Sequence, residues 1–186
     1  MRIVGGASRG LKLADVGAGD PAAHLRPTTD RVRESIFNLL INGRIAQAGD
    51  PVTGARVLDL FAGTGALGLE ALSRGAARVA FVDDGTAARA LLRRNIELMR
   101  AMGTTDVWRR DATNMGPNRG PGYGLVFLDP PYGKGLGERA LASCVAGGWL
   151  APGALIVWEE SATPVIPEGF EEVDQRRYGD TMITIL

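Results

Sequence analysis

Asp129-Pro130-Pro131-Tyr132 sets a carboxylate, a rigid backbone and an aromatic ring at one point of the chain. The tetrad follows the apolar run Leu125-Val126-Phe127-Leu128, which predicts a buried strand. Prolines lack an N–H and fix φ, so that strand must stop at Pro130. Ligands of open α/β sheets bind at such C-terminal strand ends. The chemistry expected is the holding of a planar ring that bears an amine. Asp129 and a prolyl carbonyl accept its N–H groups, and Tyr132 stacks on its face. A prolyl turn with a packed tyrosine is the plainer alternative, but a charge at the end of an apolar strand needs a partner.

A second group precedes it. Asp59-Leu60-Phe61-Ala62-Gly63-Thr64-Gly65-Ala66-Leu67-Gly68 contains G-x-G-x-x-G, and Asp83 stands 20 residues after Gly63. By itself this is the dinucleotide fingerprint: glycines admit a ligand to the backbone, and the acid accepts from ribose hydroxyls. A tight turn without a ligand is the bland reading. Three features favour S-adenosylmethionine over a nicotinamide. Asp59 lies four residues before Gly63, suited to a cationic amino group rather than a pyrophosphate, which prefers a bare helix N-terminus. The only histidine, His24, comes before the sheet, so no hydride-transfer acid–base set follows. The Asp129 tetrad has no role in a dehydrogenase. Asp59, Phe61, Gly63, Thr64, Gly65, Gly68 and Asp83 are therefore the expected cofactor residues. Asp111-Ala112, after the third strand, would accept from the adenine amine, although Asp is also an ordinary loop and cap residue.

These groups need a scaffold. Residues 2–13 read as a short β-hairpin and 14–24 as a loop. Thr28-Thr29-Asp30 offers an N-cap for an amphipathic helix over 29–42. From residue 55 strands and helices alternate. Strands are expected at Arg56–Leu60, Arg78–Val82, Asp106–Arg110, Leu125–Leu128 and Ala154–Glu159. Helices are expected at Ala66–Arg74, Thr86–Met102 and Gly137–Ala146. Glu171–Tyr178 and Thr181–Leu186 flank Gly179-Asp180 as a closing hairpin. An N-terminal extension (1–50) and a catalytic domain (51–186) follow, the sheet mostly parallel with an antiparallel edge.

Bulk properties agree. The 186 residues are 45% hydrophobic with a formal net charge of zero, enough for a real core and against wholesale coating of a polyanion. Charge is nevertheless uneven. Residues 86–119 carry seven arginines against Glu97, Asp106 and Asp111, whereas 159–174 carry six acids and no base. That asymmetry fits brief visits to nucleic acid and equally a dipolar enzyme. Cys144 is expected as a small core residue, with no internal disulfide. No apolar run reaches 18 residues and no signal-peptide core is seen, so a cytoplasmic protein without membrane or metal partners is expected, a monomer by default.

The chain resembles class I methyltransferases, and more closely the bacterial small-subunit rRNA guanine-N2 methyltransferase family (RsmD-like). The resemblance runs over almost the whole length. It is carried by Arg2-Ile3-Val4-Gly5-Gly6 with Arg9-Gly10, by Leu25-Arg26-Pro27-Thr28-Thr29-Asp30-Arg31-Val32-Arg33-Glu34, and by Ile36-Phe37-Asn38. Leu58 to Gly65 and Asp129 to Tyr132 complete it, though many amino-methyltransferases share those two. The family often has Glu where this chain has the shorter Asp83. The resemblance implies a Rossmann-like fold with a seven-stranded sheet, S-adenosylmethionine as donor, and a guanine of 16S rRNA, free or in an assembling small subunit, as acceptor. Asp129, Pro130, Pro131 and Tyr132 would then be catalytic. Candidate RNA contacts are Arg2, Arg9, Lys12, Arg26, Thr28 and Arg33; Arg26 and Thr28 could instead border the pocket. Competing functions are a DNA adenine-N6 methyltransferase, a nicotinamide oxidoreductase and a non-catalytic RNA-binding module.

Overall fold

The computed structural model describes residues 1–15 and 28–186. His24, Arg26 and most of the loop expected over 14–24 lie outside that range. Helix α1 (Asp30–Asn42) and a 3-10 turn (Arg44–Ala48) precede β1 (Arg56–Leu60), α2 (Ala66–Ser73), β2 (Arg78–Val82) and α3 (Thr86–Leu98). A second 3-10 turn (Met102–Thr104) leads to β3 (Thr105–Trp108), β4 (Tyr123–Leu128), α4 (Leu136–Gly147), β5 (Leu150–Glu160), β6 (Asp174–Tyr178) and β7 (Thr181–Ile185).

The seven strands form one sheet in the order β3-β2-β1-β4-β5-β7-β6. The first five are parallel, and β7 runs antiparallel to both β5 and β6. This is the expected Rossmann-like, mostly parallel sheet with antiparallel C-terminal strands. Its strands are apolar on both faces because helices cover both. Val57, Val79, Phe81, Leu125, Phe127 and Val157 face one core with α1, α2 and α3. Leu58, Ala80, Val126, Ile156 and Trp158 face the other with α4, where Cys144 is buried as expected.

Thr29 caps α1, its hydroxyl accepting the Val32 N–H at 3.3 Å. Ile36, Phe37 and Leu40 then bury the inner stripe, and the Phe37 ring tilts against Phe127 at 5.7 Å. The N-terminal arm adds Ile3 and Leu13, so the extension and the sheet share a core. The expected hairpin there narrows to one antiparallel bridge, Arg2 to Lys12.

Several boundaries move, β6 beginning at Asp174 rather than Glu171 and β4 at Tyr123 rather than Leu125. Helix α3 stops at Leu98 because Arg100 turns left-handed (φ 55°), which an α-helix cannot carry. β3 ends at Trp108, before Arg110. β5 begins four residues early, where Leu150 pairs with Tyr123 ahead of a bulge. Among the described residues no helix is long and apolar enough to cross a membrane.

Candidate active site

β1 lies between β2 and β4, and the crossovers diverge there. In such sheets the ligand crevice opens at that divergence. Side chains alternate along a strand, so Asp59 shares the face of Val57, Asp129 that of Phe127, and Glu159 that of Val157. Leu60 pairs with Leu128, and Leu128 with Trp158, so Asp129 and Glu159 both lie one step past the paired rows. The sequence thus puts three carboxyls on one face at the ends of three adjacent strands.

A cavity of about 760 Å³ opens there, running from Asp83–Ala88 past Phe61–Thr64 to Thr28, Asp129, Pro130, Pro131 and Tyr132. Among the described residues its charged lining is Asp59, Asp83, Asp84, Asp129 and Lys134. A small recess lined by Phe61, Asp83, Arg110, Asp111 and Ala112 adjoins it, so the predicted adenine residues sit at one end. Asp111 itself is exposed and accepts the Thr113 hydroxyl at 2.7 Å and the Thr113 N–H at 2.8 Å, which hold its carboxyl below the usual range.

The glycine loop is shaped by close approach. Asp59 Oδ2 accepts the Gly68 N–H at 2.9 Å. Burial pushes the Asp59 carboxyl up to about 8, the Gly68 N–H opposing and Asp83 adding to the rise. Phe61, beside the cavity, holds a positive φ of 57°, a strained state for a side-chain-bearing residue. Asp83 ties two loops, Oδ2 accepting from Gly63 N at 2.9 Å and Oδ1 from Gly85 N at 2.8 Å. Its carboxyl is also raised, chiefly by burial. Gly65 and Gly68 depart from expectation, because neither lines the cavity. A Cβ on Gly65 would meet Leu92 Cδ1 at 2.3 Å, and one on Gly68 would meet Phe81 Cε1 at 2.4 Å. They are glycines so that α2 can pack against its neighbours, and they act on the pocket through the backbone.

The other end is acidic and hydroxyl-rich. Thr28 Oγ1 donates to Glu159 Oε2 at 2.8 Å and lies 3.3 Å from Asp129 Oδ2. The Tyr132 hydroxyl donates to Glu159 Oε1 at 2.7 Å and lies 3.3 Å from Thr181 Oγ1. Glu160 Oε1 accepts the Gly133 N–H at 3.1 Å, pinning the turn after Tyr132. Burial raises the Asp129 carboxyl well above its ordinary range, and the charges of Glu159, Asp59 and Glu160 add to that. Burial likewise raises the Tyr132 phenol.

Two expected RNA contacts are corrected. Arg33 is fully buried, its Nη2 donating to Arg2 O at 2.7 Å and to Asp30 Oδ1. Thr28 is 5% exposed and belongs to the cavity. Arg2, Arg9 and Lys12 are exposed. Sequence reasoning missed Glu159, Glu160, Thr181 and Lys134, and also two buried clasps. Glu70 accepts from Val4 N at 2.9 Å, Gly5 N at 2.7 Å and Arg74 Nε at 2.9 Å. Asn95 Nδ2 donates to Thr64 O at 2.9 Å and Ala14 O at 3.0 Å. Both hold the N-terminal arm, and Asn95 joins it to the glycine loop.

The sheet order, the glycine loop and the carboxyls at the strand ends are those of the Rossmann-like methyltransferases. The family described as conserved hypothetical protein 95 matches residues 1–186. The chain belongs to this family, the RsmD methyltransferases. It is 39% identical over 170 residues to ribosomal RNA small subunit methyltransferase D of Escherichia coli K12, covering 90% of this chain and 79% of that protein. The same enzyme of Haemophilus influenzae is 33% identical over 184 residues, covering 96% and 89% of the two chains. The solved structure of YhhF from Escherichia coli superposes with a TM-score of 0.80 at 35% identity, covering 100% of this chain and 96% of that one. Among the described residues no cluster of three or more His, Cys, Asp or Glu could hold a metal.

Proposed function

We propose that this protein transfers a methyl group from S-adenosylmethionine to the exocyclic N2 amine of a guanine in small-subunit rRNA. The observation that carries the reading is the cavity lining, in which, among the described residues, Asp59, Asp83, Asp84 and Asp129 outnumber the one cation Lys134. Such a lining suits a ligand bearing an ammonium and a sulfonium, and it would repel the pyrophosphate of a nicotinamide cofactor. Asp59 and the Phe61–Thr64 loop would hold the amino-acid end, Asp83 the ribose, and Asp111 with Ala112 the adenine. When bound, S-adenosylmethionine supplies an already activated methyl, so the protein has mainly to align and desolvate the reactants.

The acceptor needs more help, because its lone pair is delocalised into the ring. Asp129 and the Pro130 carbonyl hold the two amine hydrogens and turn the lone pair toward the donor. The Asp129 carboxylate stabilises the positive charge that grows on nitrogen. Tyr132 stacks on the base, worth about 1–3 kcal/mol. A paired base could not enter, so the guanine must be unpaired or flipped. The rRNA substrate draws support from the names of the relatives, and the N2 position from the family resemblance.

Labelled methyl transfer to 16S rRNA, to partly assembled small subunits and to DNA, followed by nucleoside analysis, tests this. N2-methylguanosine from rRNA is expected. Label in DNA adenine, or binding of NAD but not S-adenosylmethionine by calorimetry, would overturn it.

A further inference from the structure

Two carboxyls share one hydroxyl beneath the acceptor end. Thr28 Oγ1 is 2.8 Å from Glu159 Oε2 and 3.3 Å from Asp129 Oδ2. A hydroxyl has one proton to give and two lone pairs to accept with. While Thr28 donates to Glu159, its contact with Asp129 is a hydrogen bond only if Asp129 carries a proton and donates it. Reversed, Thr28 donates to Asp129 and a protonated Glu159 donates to Thr28. The geometry of the row allows one proton to be passed between its two ends through the hydroxyl. Thr28 and Glu159 are 5% and 6% exposed, so bulk water does not replace the hydroxyl. The Tyr132 hydroxyl, 2.7 Å from Glu159 Oε1, holds that carboxyl in line.

The amine of the acceptor needs Asp129 as an anion. Burial, with the charges of Glu159, Asp59 and Glu160 adding to it, favours a proton on Asp129 instead, and among the described residues Lys134 is the one cation lining the cavity. We propose that Thr28 relays that proton to Glu159, arming Asp129 as the anion that holds the amine and then takes its proton. This rests on the methyl-transfer reading above. The proton of Asp129 passes to Thr28 Oγ1 as Thr28 gives its own to Glu159. The amine lone pair then forms the N–C bond while the donor C–S bond breaks and leaves a neutral thioether. The positively charged nitrogen gives one proton to Asp129. Both carboxyls are now neutral, and one proton leaves to water with the product, restoring the starting state. Thr28 and Glu159 act through Asp129 and are positioning residues.

The test uses Thr28→Val, Thr28→Ser and Glu159→Gln with wild type as control. Single-turnover transfer by Thr28→Val is expected to fall about 10- to 100-fold at neutral pH, with S-adenosylmethionine affinity by calorimetry unchanged. Its rate recovers at alkaline pH, where Asp129 ionises without help, and Thr28→Ser restores the rate at neutral pH. A loss of equal size at every pH, or no loss, overturns the relay. The infrared band of the protonated carboxyl, assigned with Asp129→Asn, gives a readout independent of turnover. In Glu159→Gln it should vanish at lower pH than in wild type, and an unmoved band overturns the proposal whether or not Thr28→Val folds. Absence of guanine methylation by wild type would instead sink the functional reading, whereas a normal Thr28→Val sinks the relay alone.

Discussion

Asp59 accepts the Gly68 N–H at 2.9 Å, and a Cβ on Gly68 would come within 2.9 Å of the same oxygen. The bond exists in this form only because residue 68 has no side chain. An alanine there would also meet Phe81 Cε1 at 2.4 Å and Val79 Cγ1 at 2.8 Å. Gly68→Ala is expected to cost about 1–3 kcal/mol in urea denaturation. Displacing Asp59 should also weaken S-adenosylmethionine binding, read by calorimetry.

The raised Asp59 carboxyl makes donor binding depend on pH. Folded, it ionises near about 8 against an ordinary value of 3.8. A cationic ligand binds the ionised form, so affinity should rise as pH climbs toward about 8, at most tenfold per unit. For stability without ligand the sign is opposite. Between those two values the unfolded chain sheds a proton that the folded chain keeps, so unfolding becomes easier as pH rises. Asp59→Asn should bind more weakly and flatten both profiles; a wild-type affinity that is level from about pH 6 to 8 contradicts the assignment.

Asp129 and Tyr132 separate chemistry from stacking. Asp129→Ala should lose more than tenfold in methyl transfer, above about 1.4 kcal/mol, with donor affinity intact. Tyr132→Phe keeps the ring and loses the 2.7 Å bond to Glu159, so a stability loss of about 1 kcal/mol with a near-normal KM for RNA is expected. Tyr132→Ala should raise that KM about tenfold or more.

The arm is clasped by a single buried carboxylate. Glu70→Ala leaves the Val4 and Gly5 amides and Arg74 without their acceptor. A loss of about 2 kcal/mol or more is expected, with faster hydrogen exchange at Val4 and Gly5 than in α2.

RNA contact by the exposed arm predicts a salt effect. Arg9 and Lys12 are exposed, and Arg2 makes a loose 3.6 Å pair with Asp30. Lys12→Ala should reduce the slope of log affinity against log salt by about one. An unchanged slope removes Lys12 from the interface.

Much of this was legible from residue order. The bounds of β1 and β2 and the ends of the apolar runs follow from strand chemistry, and they place Asp59 and Asp129. Glu159 was missed although it carries the same signal as Asp129, an acid directly after a buried apolar run, here Val157-Trp158. Arg33 was misassigned because its charge outweighed its position: it precedes Ile36, Phe37 and Leu40 by helical steps that put it on the buried stripe. Gly65 and Gly68 look alike as a ligand loop or as a packing device, and only the positions of Leu92 and Phe81 decide between them. The Glu70 and Asn95 clasps join residues 65 to 81 positions apart, beyond any local pattern.

That separation orders events during synthesis. The arm leaves the ribosome well before Glu70 and Asn95 are translated, and the Asn95 amide that steadies Thr64 also grips Ala14. The arm therefore cannot dock fully, and the glycine loop is not steadied, until α3 has emerged.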